Sequence, residues 1–193
     1  MVKNLVLTAI LLSSTSALAQ EVDDDDPGFN MLETRVGFGT MPIGDGASSL
    51  TVSLGLGVEH PVFKRTRVFG EYEWLWLASR PMDPALMTSE PEHDGSGHRA
   101  VLGLRRELIG KGSYAMHMFV DGEVGGGLGI VNDSMFGLRV LPTGFAGVRF
   151  GWDLYSHKDD SPSRTFEMNI LVRVLAVSDG VGLLTGIGMA WGS

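Results

Sequence analysis

From residue 31 onward, apolar and polar side chains alternate with a period of two, and the alternation restarts again and again. Residues 31–40 (MLETRVGFGT) set Leu32, Thr34, Val36 and Phe38 against Glu33 and Arg35. Residues 50–59 set Leu50, Val52, Leu54, Leu56 and Val58 against Thr51, Ser53, Gly55, Gly57 and Glu59. Residues 68–76 oppose Val68, Tyr72, Trp74 and Trp76 to Glu71 and Glu73, and residues 99–105 oppose Ala100, Leu102 and Leu104 to Arg99 and Arg105. In residues 114–130, Tyr114, Met116, Met118, Val120, Val124, Leu128 and Ile130 face away from His117, Asp121 and Glu123. Residues 145–154 divide Ala146, Val148, Phe150, Trp152 and Leu154 from Arg149 and Asp153. Residues 166–174 (FEMNILVRV) divide Phe166, Met168, Ile170, Val172 and Val174 from Glu167, Asn169 and Arg173. Residues 181–191 set Val181, Leu183, Ile187, Met189 and Trp191 against small residues. Successive side chains of a strand point to opposite sides of the sheet, so these runs predict an all-β chain of eight strands.

Alternation also describes a soluble sandwich or calyx, in which the polar face meets water and carries Lys, Thr and Ser. Here that face carries Glu33, Glu71, Glu73, Asp121, Glu123, Asp153 and Glu167 with Arg35, Arg67, Arg99, Arg105, Arg149 and Arg173, and no Lys falls within the predicted strands. Arg pairs bidentately with carboxylates and accepts enclosure better than Lys. Glycines between the charges leave room for long side chains reaching across a narrow lumen. The polar face is therefore expected inside a closed barrel and the apolar face outside, against lipid.

The aromatics agree with this orientation. With strands alternating in direction, Tyr114, Trp152, Tyr155, Phe166 and Trp191 fall at one level and Phe38, Trp74 and Trp76 toward the other rim, as the two interfaces of a bilayer select. Outer loops are expected at about 40–49, 78–97 and 131–143, with residues 136–141 as an alternative stretch of strand. The turn at 109–113 is short, whereas 156–164 is long for an inner connection and 177–180 short for an outer loop.

Ahead of the strands, Lys3, the apolar run Leu5 to Leu12 and Ala17-Leu18-Ala19 read as a signal peptide cleaved near Ala19. Residues 20–29, with four consecutive Asp, read as a solvated acidic leader, and residues 30–193 as one barrel domain. The chain has no Cys, which removes disulfide and thiolate chemistry. A formal net charge of -8 with dispersed acids argues against a nucleic-acid partner.

An exported, Cys-free, Gly-rich chain of eight alternating segments resembles the small outer-membrane β-barrels of the OmpA, OmpX and opacity type. The terminal GLLTGIGMAWGS is similar to the assembly signal of that group, with Trp191 set back from the end by Gly192 and Ser193. The resemblance implies an eight-stranded antiparallel transmembrane up-and-down barrel in a Gram-negative outer membrane, in contact with membrane lipid, lipopolysaccharide and the barrel-assembly machinery. With eight strands the interior is filled by side chains, so a plugged lumen and a structural or surface-interaction role are expected.

No catalytic residue, metal or cofactor is expected. Glu90, Glu92, His93, Asp94 and His98 near Ser96 have no ligand spacing, and residues 78–97 are read as a possible surface-ligand loop. His117 is read as a partner of interior carboxylates. Two alternatives stand beside this reading. One is a barrel enzyme acting on outer-membrane lipids, for which Ser156, His157, Asp159 and Asp160 are the nearest cluster. The other is a soluble periplasmic ligand-binding barrel.

Overall fold

The computed structural model describes residues 31–44, 47–63, 65–79, 93–112, 116–134, 136–158, 161–178 and 180–192. The signal peptide and acidic leader expected before residue 30 lie outside them. Eight strands follow one another as β1 (Met31–Gly44), β2 (Ala47–Phe63), β3 (Thr66–Ser79), β4 (His93–Gly112), β5 (Met116–Asp133), β6 (Gly137–Lys158), β7 (Ser161–Val177) and β8 (Gly180–Gly192). Each pairs antiparallel with its sequence neighbours, and β1 closes on β8 from Met31↔Gly192 to Thr40↔Leu183. Closure matters because a barrel leaves no edge of unpaired N–H and C=O groups facing lipid.

Several strands outrun the expected boundaries. Residues 40–44 and 47–49 continue β1 and β2, and residues 137–143 open β6, so the long loops expected at 40–49 and 131–143 are strand with tight reversals. Local chemistry explains the second case: Asp133 Oδ1 accepts a hydrogen bond from Phe136 N at 3.2 Å, and Gly137 takes a φ of +68° that an L side chain rarely adopts. β4 likewise runs to Gly112, so residues 109–112 of the inner turn expected at 109–113 are strand, and β6 and β7 extend to Lys158 and from Ser161, shrinking the expected 156–164 connection. Residues 78–79 and 93–97 are strand, whereas 80–92 lie outside the described residues. These extensions bring Lys111 and Lys158 into strands, which corrects the expectation that Lys is absent from them.

The outward face is apolar along most of its length. Val36 is 59% exposed, Leu102 70%, Leu128 57% and Ile187 58%. The inward face holds two tiers. Toward the end that carries Met31 and Gly192 it is ionic. Toward the other end, Met41, Ile43, Leu75, Leu77, Val101, Val131, Leu141, Phe145, Leu175, Val177 and Leu184 form an apolar cluster inside the barrel. On β1 and β3 to β7 these residues share strand parity with the buried charges, and Ser49, Thr51, Ser53 and Thr143 are buried toward the same end.

Candidate functional site: the interior of the barrel

The side chains of Glu33, Arg35, Glu71, Glu73, Arg99, Arg105, Asp121, Glu123, Arg149, Asp153, Glu167 and Arg173 are all buried inside the barrel. Their contacts span strands far apart in the chain. Arg35 Nη1 donates to both carboxylate oxygens of Glu71 at 2.8 Å, and its Nη2 to Glu33 Oε1 at 2.7 Å. Arg173 grips Glu123 through Nε and donates from Nη1 to Glu71 Oε2 at 2.8 Å. Arg105 reaches Glu123 at 3.1 Å, Glu33 at 3.3 Å and also Glu59. Arg149 joins Glu167 at 2.5 Å, Asp121 at 2.6 Å and Glu59 at 3.2 Å. Arg99 pairs with Glu73 at the top of this tier. A planar guanidinium with five donors can serve two or three carboxylates at once, which a lysine ammonium on a flexible stem does less well.

Three further polar residues complete the network. Glu59 receives Arg105 and Arg149 from across the lumen, and Arg67 Nη1 lies 3.4 Å from Glu59 Oε2. Asn169 Nδ2 donates to Glu167 Oε1 at 2.9 Å and to Glu33 Oε1 at 3.1 Å, linking β7 to β1 across β8. Sequence parity placed Glu59, Arg67 and Asn169 on this polar face, although not among the charges expected to form the network. Aromatic rings also belong to the interior. Arg105 lies 4.6 Å from the Phe69 ring centroid, Arg173 4.7 Å from that of Phe145, and Arg149 4.9 Å from that of Phe119. The negative ring faces extend the cationic side of the network into the oily side.

Toward the termini, His117 Nδ1 lies 3.5 Å from Asp153 Oδ2 and its Nε2 3.8 Å from Glu107 Oε1. At the opposite mouth, the β5–β6 reversal folds inward: Arg139 sits 4.8 Å from the Phe136 ring centroid and donates to the Ile43 carbonyl at 3.3 Å. Phe136 packs on the apolar cluster, so β1 and β6 are tied together over the interior.

On the outside, Phe38 stands opposite Val52, which stands opposite Trp76. Tyr72 meets Trp74 edge-on at 5.0 Å and its hydroxyl lies 3.0 Å from His98 Nδ1. Nearer the termini, Phe166 and Trp191 lie 6.1 Å apart, and Trp152 faces outward on β6. Tyr114 and the side chains of Tyr155, His93, Asp94, Ser156 and His157 fall outside the described residues, as do Glu90, Glu92, Asp159 and Asp160. Ser96 and His98 face outward on β4, opposite Trp76 and Trp74.

No family model and no curated protein matches the chain. Among solved structures, Neisserial surface protein A (NspA) is 9% identical and aligns over 85% of this chain and 96% of its own, with a TM-score of 0.50. The chain has the fold of the small outer-membrane barrels. Two other solved barrels of this kind match more loosely. The N-terminal β-barrel domain of Pseudomonas aeruginosa OprF is 11% identical over 86% of this chain and 100% of its own, with a TM-score of 0.47. Ail, the attachment invasion locus protein of Yersinia pestis, is 9% identical over 87% and 99%, with a TM-score of 0.43. A small outer-membrane barrel wears its apolar side chains outside and its polar ones inside, the polarity described above for this chain.

Proposed function

We propose that the chain is an integral outer-membrane protein whose filled, non-conducting barrel is a rigid mount for its outer segments, with residues 80–92 as the candidate surface-interaction element. The observation that carries this reading is the inverted polarity: Val36, Leu102, Leu128 and Ile187 face outward while Arg105, Arg149 and Arg173 are fully enclosed. A soluble ligand-binding barrel requires the reverse arrangement, because its outer face must be wetted. Met31, Gly192 and the strand ends Phe63, Thr66, Gly112, Met116, Lys158 and Ser161 share one end, which we assign to the periplasm, where such barrels keep short turns. Lipopolysaccharide around the outer rim and the barrel-assembly machinery at the outward-facing Trp191 of β8 are the partners this reading names.

The test is fractionation of cells expressing the whole chain, followed by electrophoresis of the envelope with and without boiling. A membrane-bound band whose mobility changes on heating supports the reading. Recovery in buffer without detergent overturns it. Planar-bilayer recordings of the same material address the filled lumen, where stable unit conductance steps would refute the non-conducting part.

A further inference from the structure

A histidine interrupts the outer wall at the level of the aromatic rim. Along β4 the outward positions Leu104, Leu102 and Ala100 are apolar, and the next is His98, which stands opposite Trp74 of β3 and Ile130 of β5. Its neighbours converge on it. The Tyr72 hydroxyl lies 3.0 Å from His98 Nδ1, and the phenol ring stacks on the imidazole with centroids 5.8 Å apart. Trp74 meets Tyr72 edge-on at 5.0 Å, and all three side chains are exposed. The contact with Tyr72 fixes what the far side of the imidazole offers. A neutral ring that accepts the tyrosyl proton at Nδ1 carries its own proton on Nε2, and a protonated ring carries one on each nitrogen. In either state Nε2–H is a hydrogen-bond donor, across the ring from the tyrosine. A belt of interfacial aromatics needs no such donor, since Trp and Tyr already place an apolar body and a polar tip at the bilayer surface.

One outward position farther along, Trp76 of β3 pairs with Ser96 of β4, and Ser96 with Asn132 of β5. Ser96 and Asn132 are exposed and neutral. Aromatic faces beside a ring N–H, a hydroxyl and an amide are the chemistry that holds a sugar: the C–H face of a pyranose lies on the rings, and its oxygens take the hydrogen bonds. A phosphate is better served by Arg or Lys. The cations of β4, Arg106 and Lys111, lie toward its other end. Below the cluster, Ala100, Leu102 and the adjacent Leu128 continue as exposed apolar wall. We propose that this cluster holds the acylated hexosamine head group of an outer-leaflet glycolipid. The sugar ring lies against Trp74 and Trp76, an acyl carbonyl accepts from His98 Nε2–H, and the chains follow Ala100, Leu102 and Leu128. The proposal rests on the outer-membrane reading above and narrows its lipopolysaccharide partner to one site and one part of the lipid.

Native mass spectrometry of the folded chain in a detergent without a sugar head, offered equal amounts of diphosphorylated lipid A, monophosphorylated lipid A and phosphatidylglycerol, tests this. Both forms of lipid A are expected to be retained alike, and each at least about fivefold over phosphatidylglycerol, the worth of one net hydrogen bond. His98→Leu is expected to lower that preference by about the same factor, and Trp74→Leu to lower it as well, whereas Phe38→Leu, an exposed aromatic on β1, leaves it unchanged. Retention of phosphatidylglycerol equal to that of lipid A overturns the proposal. Retention that falls with the loss of one phosphate overturns recognition through the sugar. Unchanged selectivity in both His98→Leu and Trp74→Leu overturns the site, and an equal loss in Phe38→Leu overturns it in favour of a diffuse aromatic belt. Should His98→Leu not fold, Tyr72→Phe, which removes the hydroxyl from Nδ1, takes its place, and selectivity unchanged there and in Trp74→Leu overturns the site. The heat-dependent mobility shift is run on each sample. Its absence from the unaltered chain is a failure of the barrel reading itself, whereas a shifted band without lipid selectivity is a failure of this site alone.

Discussion

Arg149 of β6 places Nη1 2.5 Å from Glu167 Oε1 on β7 and Nη2 2.6 Å from Asp121 Oδ2 on β5, so one guanidinium bridges both neighbouring strands. Replacing it by Met leaves Asp121, Glu167 and Glu59 enclosed without their common cation. The expected loss is about 3–5 kcal/mol, read as a lowered midpoint of urea unfolding after refolding into vesicles. Adding Glu167→Gln to Arg149→Met is expected to cost less than the sum of the two single changes, because the residues share one network.

Arg99 and Glu73 behave differently because they meet the apolar tier. Val101 and Leu75, the next inward positions on their strands, belong to the oily cluster, and Arg99 Nη1 is buried without a hydrogen-bond acceptor among the described residues. The double change Arg99→Met with Glu73→Leu is expected to range from neutral to a gain of about 1–4 kcal/mol, whereas either single change destabilises. A four-member unfolding cycle checks this.

Phe145 stands between tiers, 6.0 Å from the Phe69 ring centroid and 4.7 Å from the Arg173 guanidinium. Phe145→Ala opens a void in the enclosed interior and removes the ring face that receives the cation. An unfolding free energy lower by about 3–5 kcal/mol is expected, with the heat-dependent gel shift retained.

Two glycines give a paired test of close approach to a neighbouring strand's backbone. A Cβ at Gly127 would stand 2.0 Å from the Ala100 carbonyl oxygen, whereas a Cβ at Gly144 has only the Gly125 carbonyl oxygen within reach, at 3.9 Å. Gly127→Ala is expected to abolish the heat-shifted band or to lower its yield severely. Gly144→Ala should leave the band intact.

Leu102 tests the solvent on the outside. It is 70% exposed and pairs with Gly70 and Gly126 in the middle of their strands. Leu102→Arg is expected to destabilise the barrel in vesicles by about 2–4 kcal/mol. Improved solubility in plain buffer with unchanged stability would instead mean that water wets this face.

Legibility of the fold and of the interior differed for physical reasons. Strand parity is strong wherever a charge alternates with a large apolar residue, as at Glu167-Met168-Asn169-Ile170, because only one face of a strand can meet lipid. It is weak where both faces are apolar. Leu75, Leu77, Leu171, Leu175 and Phe145 sit on the charged parity yet are buried inside, and hydropathy alone does not separate them from lipid-facing neighbours such as Trp76 or Val172. The ends were hard to read for another reason. A reversal as compact as Asp133 to Gly137 depends on one side-chain cap and one left-handed glycine, and of the surrounding residues only 136–141 read as an alternative stretch of strand, most of which β6 takes up.

The seam between β1 and β8 gives the ionic tier a role in assembly. Glu33 on β1 is held by Arg105 from β4 and by Asn169 from β7, partners that meet only when the last strand has docked on the first. A slip of one residue at that joint would turn Glu33 and Arg35 toward hydrocarbon and Leu32 and Val36 toward carboxylates. The interior contacts of Glu33 therefore match one alignment of the closing pair and are lost in its neighbours.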